Sequence, residues 1–112
     1  FAMVTSGKAS AFVMDDILLA GQIAAAAKPE AYVISEETLS RPEPYGILLP
    51  LGDTAFKDAV NDSIRTIYAS GEIYRLYEKW FERPIPPKGQ NMKLPISPEL
   101  RAVFDTPKDY TE

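Results

Sequence analysis

The chain has 112 residues, of which 46% are hydrophobic and 25% are charged, as expected for one small globular domain. It has 12 basic and 16 acidic residues, a net charge of −4, no histidine and no lysine- or arginine-rich run, which excludes a nucleic-acid-binding surface. The absence of cysteine excludes disulfides, thiolate catalysis and zinc–thiolate sites.

The first 28 residues predict the end of a helix, a strand and a second helix. Residues 1–7 are typical of a helix that ends at Gly7, and the lack of an initiator methionine or signal peptide leads us to expect part of a larger protein. Residues 8–14 are apolar almost throughout, which predicts a central parallel strand covered on both faces. A helix over 17–28 follows, ended by Pro29.

The next segments predict further extended structure. Residues 31–35 are short and rich in β-branched and aromatic side chains, which predicts the next strand. Residues 36–44 are a proline-containing connector. Residues 45–51 are apolar with Gly46 and Pro50, which favours an edge strand or an extended crossing segment. Parallel-type strands flanked by helices place the chain in the α/β class.

The period of the apolar residues changes to a helical one after residue 52. Asp53 is predicted to cap a helix that ends at Gly71, and a second amphipathic helix is predicted over 72–81. The second helix carries an aromatic stripe, namely Tyr77, Trp80 and Phe81. Aromatic residues at helical spacing indicate core, although a ligand cage or a protein-docking face is the alternative.

The remaining residues predict one short helix. Residues 84–87, Pro-Ile-Pro-Pro, predict an extended spacer because proline cannot continue a helix. Ser97 followed by Pro98 predicts a capped helix through about Phe104. Residues 106–112 are polar and are expected to be loose.

Two adjacent carboxylates, Asp15 and Asp16, follow the first predicted strand and are the candidate ligand contacts. Ligands of open α/β sheets bind outside the carboxyl ends of the strands, and a desolvated carboxylate there attracts a cation such as an ammonium group. The alternative from the residues alone is that one or both only cap the helix that follows.

No feature of the chain predicts catalysis. Adjacent residues on an extended chain point to opposite faces, so Asp15 and Asp16 cannot easily address one atom as a metal or acid–base pair. Nucleophile motifs and a phosphate-binding loop are absent from the sequence. We therefore expect no enzyme activity, no catalytic residue, no cofactor and no metal.

Four segments in order resemble one family over nearly the whole chain. They are residues 6–16 (Ser-Gly-Lys-Ala-Ser-Ala-Phe-Val-Met-Asp-Asp), 44–49 (Pro-Tyr-Gly-Ile-Leu-Leu), 55–62 (Ala-Phe-Lys-Asp-Ala-Val-Asn-Asp) and 70–81 (Ser-Gly-Glu-Ile-Tyr-Arg-Leu-Tyr-Glu-Lys-Trp-Phe). The chain resembles the C-terminal part of the polar-amino-acid periplasmic binding proteins of ABC transporters. The Met-Asp-Asp turn and the segment 84–92 are most similar to the subgroup that binds glutamate and aspartate.

This resemblance implies a fragment of a two-lobe, type II periplasmic-binding-protein-like fold. It implies that residues 1–39 belong to the second lobe, 40–49 cross between the lobes, 50–83 are first-lobe helices and 84–112 are a proline-rich tail with a short helix. It also implies an amino-acid ligand, a membrane permease as partner and a periplasmic location. The role of holding the ligand's α-ammonium falls to Asp15, with Asp16 as the second candidate.

The chain departs from the family pattern in two respects. The family's N-terminal half, which carries the arginine and hydroxyl groups that grip the ligand carboxylates, is absent. Pro50 and Leu51 stand where relatives often have a basic pair. Two alternative functions are a sensor or enzyme lobe of the same architecture, and an interaction module that self-associates by exchanging elements between copies.

Overall fold

A computed structural model of the chain describes residues 1–41, 43 and 45–107. Within those residues there are five α-helices: α1 (Ala2–Thr5), α2 (Asp16–Ala24), α3 (Thr54–Ala69), α4 (Glu72–Tyr77) and α5 (Pro98–Asp105). A 3-10 turn covers Pro29–Ala31, and a π-helical turn covers Glu78–Glu82. None of the helices in this part of the chain is long and apolar enough to cross a membrane.

The chain divides into two compact units. Unit 1 comprises Phe1–Glu36 with Lys79–Pro95, and unit 2 comprises Glu37–Glu78 with the described part of Ile96–Glu112. Among the described residues only Ala20 of unit 1, and Tyr77 and Phe104 of unit 2, are buried. Each unit therefore has a very small core.

The predicted α/β fold with a parallel-type sheet is wrong. In the described residues the only strand-like pairing is a single antiparallel bridge between Ile85 and Gln90. Residues 8–14 and 31–35 are not paired as strands, and Val13 and Val33 are 67% and 91% exposed. An extended segment becomes a strand only by sharing backbone hydrogen bonds with a neighbour, and an apolar composition does not supply that neighbour.

Unit 1 begins with a helix that ends as predicted at Gly7. The amide of Gly7 donates to the carbonyl of Val4 (3.0 Å), and the amide of Lys8 donates to that of Met3 (2.8 Å). This pattern requires a left-handed residue, and Gly7 has φ +72°. The chain then runs to Asp15 without helix or strand, with bends at Lys8 and Ser10.

The predicted helix over 17–28 is confirmed only in part, because α2 covers Asp16–Ala24. Pro29 lacks an amide hydrogen and so cannot donate to the carbonyl of Ala25. It also disfavours the helical conformation of the preceding residue, and Lys28 has φ −136° and ψ 77°. The proline thus accounts for the non-helical backbone of Lys28, while α2 itself ends earlier, at Ala24.

The proline-rich segment of unit 1 forms a turn instead of the predicted extended spacer. The amide of Ile85 donates to the carbonyl of Gln90, and that of Gly89 donates to the carbonyl of Ile85, both at 2.8 Å. Gly89 has φ +69°, which allows the chain to reverse. Asn91 fixes the far end of the turn, since its side chain donates to the carbonyl of Glu82 (2.9 Å).

The helices of unit 2 begin where the sequence predicts. The carboxylate of Asp53 accepts from the amide of Phe56 at 3.0 Å, which caps α3. The hydroxyl of Ser97 accepts from the amide of Leu100 at 3.1 Å, with Pro98 in the first turn of α5. Gly71 has φ +71° and separates α3 from α4.

The core of unit 2 is an aromatic cluster around Phe104. Its ring centroid lies 5.6 Å from that of Tyr68, 5.5 Å from Tyr74 and 6.0 Å from Tyr77, and all three pairs are edge-to-face. Aromatic pairs favour this geometry because the positive edge of one ring meets the negative face of the other. The helices α3, α4 and α5 are held together by this cluster.

The predicted aromatic stripe is core in one of its three positions. Tyr77 is buried, Phe81 is half-buried and Trp80 is exposed. The Nζ atom of Lys79 lies 4.9 Å from the centre of the Trp80 ring. The π-helical turn after Tyr77 changes the number of residues per turn, so a face extrapolated at α-helical spacing does not continue through it.

Two predictions fall partly outside the described residues. The crossing segment predicted at 40–49 includes Pro42 and Pro44, and the loose tail predicted at 106–112 includes residues 108–112. The assignment of residues to two lobes stays a prediction.

Candidate functional site

The candidate ligand contact Asp15 lies between the segment 8–14 and α2. Its backbone has φ −58° and ψ 140°, and its carbonyl accepts hydrogen bonds from the amides of Leu18 (3.0 Å) and Leu19 (2.9 Å). Within residues 1–41 the side chain of Asp15 makes no capping hydrogen bond to α2. Asp15 thus stabilises the start of α2 through its backbone carbonyl.

The neighbouring carboxylate is arranged differently. Asp16 is the first residue of α2, and its Oδ1 atom accepts from the amide of Ile17 at 2.7 Å. A carboxylate in the first turn also interacts favourably with the positive end of the helix dipole. Of the two aspartates, Asp16 is therefore the one whose side chain stabilises α2.

Both carboxylates are exposed to solvent in this chain. Their two negative charges lie next to each other at the start of α2, so this end of unit 1 attracts a cation and repels an anion. No group of three or more metal-ligating side chains occurs among the described residues. A positive group, such as an ammonium, is the kind of group that this local charge favours.

A second polar cluster, in unit 2, was not predicted. The hydroxyl of Tyr74 makes a short hydrogen bond with the carboxylate of Asp105, and the guanidinium of Arg101 lies 5.4 Å from the centre of the Tyr74 ring. The hydrogen bond to Asp105 raises the pKa of Tyr74 above its ordinary value, and burial and the negative charge of Asp105 act in the same direction.

The Tyr74 cluster lies beside an open groove of about 520 Å³. The groove is lined by residues of α3, α4 and α5, including Arg65 and Phe104, and by Ser70 between α3 and α4. Tyr74 and Asp105 are 31 residues apart, so no local sequence signal could have found the pair. Because the two polar side chains satisfy each other, we regard the cluster as a structural feature of unit 2.

No family model matches the chain. Over 109 residues, which is 97% of the chain, it is 47% identical to the L-glutamate/L-aspartate-binding protein of Pseudomonas aeruginosa. Over the same length it is 43% identical to the glutamate/aspartate import solute-binding proteins of Escherichia coli and of Salmonella typhimurium. The chain is similar to glutamate/aspartate-binding proteins.

This similarity confirms the resemblance inferred from the four sequence segments, including the choice of the glutamate/aspartate subgroup. It extends over nearly the whole chain and thus includes both units. The chain spans 36% of the length of each glutamate/aspartate-binding relative. The relatives' binding activity is therefore a property of a polypeptide nearly three times as long.

Proposed function

We propose that this chain is part of the solute-binding component of an ABC uptake system that binds glutamate or aspartate in the periplasm and delivers it to a membrane permease. Binding is reversible and involves no covalent chemistry, so the protein is not an enzyme. The observation that carries the proposal is the 43–47% identity to glutamate/aspartate-binding proteins over 97% of the chain.

In this proposal Asp15 neutralises the α-ammonium group of the amino acid. The resemblance is what favours Asp15 over Asp16. The carboxylate of Asp16 accepts from the amide of Ile17 at the start of α2, a local helix contact that agrees with this choice. The backbone of Asp15 is held in place because its carbonyl accepts from the amides of Leu18 and Leu19.

An acidic amino acid also carries two carboxylates, which Asp15 and Asp16 would repel. Positive groups must therefore hold the other end of the ligand. From the resemblance we expect them in the family's N-terminal half. The chain alone would then provide one side of a binding site and bind the amino acid weakly or not at all.

The test is a chimera in which this sequence replaces the matching 109 residues of the Pseudomonas aeruginosa relative. Titration calorimetry with glutamate and with aspartate should show binding, while a neutral amino acid of similar size should bind much more weakly. A chimera that is folded by circular dichroism and does not bind either acidic amino acid would contradict the proposed function.

The role of Asp15 is tested by Asp15→Asn in the same chimera. Loss of the charge that faces a desolvated ammonium group costs about 3 kcal/mol or more, so we expect the affinity for glutamate to fall at least about a hundredfold. Asp16→Asn is the matched control, which removes the same charge from the next residue and should change the affinity less than tenfold. An unchanged affinity for Asp15→Asn would remove this residue from the site.

A further inference from the structure

The helix that follows Asp15, α2, depends on contacts with other parts of unit 1. It has nine residues, a length at which an isolated helix is marginal in water. It also holds Gly21 near its middle, and a glycine within a helix lowers the stability of that helix relative to alanine. The position of α2, and with it the backbone of Asp15, is therefore set by what packs against the helix.

Met92 packs against α2 at this glycine. Its Cε atom lies 3.8 Å from the point that a Cβ atom would occupy at Gly21, which is van der Waals distance. Gly21 and Ala24 of α2 line a cleft of about 120 Å³ together with residues of the 85–92 turn. Met92 is half-buried there. A flexible thioether side chain is well suited to fill an irregular gap of this kind.

The backbone on both sides of Met92 is held in place. On one side, the side chain of Asn91 donates to the carbonyl of Glu82 at 2.9 Å. On the other side, the amide of Leu94 donates to the carbonyl of Phe81 at 3.1 Å. The methionine side chain therefore reaches α2 from a backbone that is fixed before and after it.

We propose that Met92 is a positioning residue for the amino-acid ligand: by holding α2 at Gly21, it fixes the place of the Asp15 carboxylate. Gly21 lies six residues from Asp15, which is about 9 Å along the helix axis. The carbonyl of Asp15 accepts from two amides of α2, so a tilt of the helix moves this aspartate as well. The inference rests on the proposed function, because it needs Asp15 to bind the α-ammonium group.

The first experiment measures the affinity for glutamate by titration calorimetry in the chimera described above. Met92→Ala should lower the affinity about tenfold or more, because a binding group must be held to within a fraction of an ångström. Met92→Leu keeps an apolar side chain of similar volume and should bind within about threefold of the unsubstituted chimera. The matched control is Met3→Ala, the same substitution at a methionine of α1 that is 60% exposed, and it should also change the affinity less than about threefold.

The decisive comparison repeats Met92→Ala in the Asp15→Asn chimera. If Met92 acts through Asp15, the loss of affinity caused by Met92→Ala should shrink to less than about threefold once the carboxylate is gone. An equal loss in the two backgrounds would overturn the proposal, because Met92 would then support the fold in general. An unchanged affinity of Met92→Ala alone would overturn it as well. A failure of the proposed function is distinct, because the chimera without any substitution would then bind no glutamate.

The second experiment needs no ligand and uses this chain itself. Amide hydrogen exchange is measured at Leu18 and Leu19, whose amides donate to the carbonyl of Asp15, with the amides of α3 as the internal reference. Met92→Ala should speed exchange at both residues about threefold or more, because α2 opens more readily, while Met3→Ala should not. Equal exchange in this chain and in Met92→Ala would overturn the proposal and leave the proposed function unaffected.

Discussion

The aromatic cluster of unit 2 and the segment 8–14 of unit 1, which is neither helix nor strand, are both rich in apolar residues, yet they lie in opposite environments. Phe104 is 8% exposed and touches three tyrosine rings. Val13 is 67% exposed. Helices satisfy their own backbone groups and need only side-chain partners, whereas an extended segment also needs a neighbouring backbone. Apolar residues in helices can thus form a core within a short chain, while those in extended segments depend on additional polypeptide.

The largest expected effect is that of Phe104→Ala. It removes the ring that joins three helices, and the loss of a buried phenylalanine costs about 3 kcal/mol of unfolding free energy. We expect α3, α4 and α5 to lose their tertiary contacts, measured by urea unfolding and by near-ultraviolet circular dichroism. Val103→Ala, at the preceding and more exposed position, should cost less than about 1 kcal/mol. Equal losses for the two variants would show that Phe104 is not the core.

A smaller effect is expected from the hydrogen bond between Tyr74 and Asp105. It raises the folded-state pKa of Tyr74 above the ordinary value of 10.0, so its contribution to stability is complete below about pH 10 and is lost as the pH rises through the raised pKa. The free energy of unfolding of this chain should therefore exceed that of Tyr74→Phe by less at alkaline pH than at neutral pH.

The matched variant for that measurement is Asp105→Asn, which removes the negative charge and keeps the size of the side chain. The pKa of Tyr74, followed by the absorbance of tyrosinate, should move back towards its ordinary value. If the pKa of Tyr74 is the same in this chain and in Asp105→Asn, the hydrogen bond between Tyr74 and Asp105 does not form in unit 2.

The smallest effect is expected at the segment 8–14. Val13→Thr keeps the shape of the side chain and replaces a methyl group that already faces water, so stability should change by less than about 0.5 kcal/mol. Ala20→Thr is the comparison within the same unit, because Ala20 is 3% exposed and added atoms there must displace their neighbours, at about 1 kcal/mol or more. A large loss for Val13→Thr would mean that segment 8–14 is packed in solution.

The features that were predicted from the sequence are local ones. The caps at Asp53 and Ser97 and the glycine that ends α1 each depend on contacts within a few residues, and the structure confirms all three. The resemblance to a family also depended on short segments in order, and the comparisons confirm it.

The features that were missed depend on distant residues or on backbone pairing. The sheet was inferred from the apolar pattern of single segments, but pairing needs a second segment alongside. The Tyr74–Asp105 contact joins residues 31 positions apart. At the candidate site, the sequence predicted that two aspartates precede a helix. Only the structure shows that Asp15 contacts α2 through its backbone carbonyl, whereas Asp16 contacts it through its side chain.

The two hydrogen bonds accepted by the carbonyl of Asp15 have a mechanical consequence. They make Asp15 the N-cap residue of α2, a helix of nine residues that is about 13 Å long. The backbone of Asp15 is therefore held by α2 and turns with the helix.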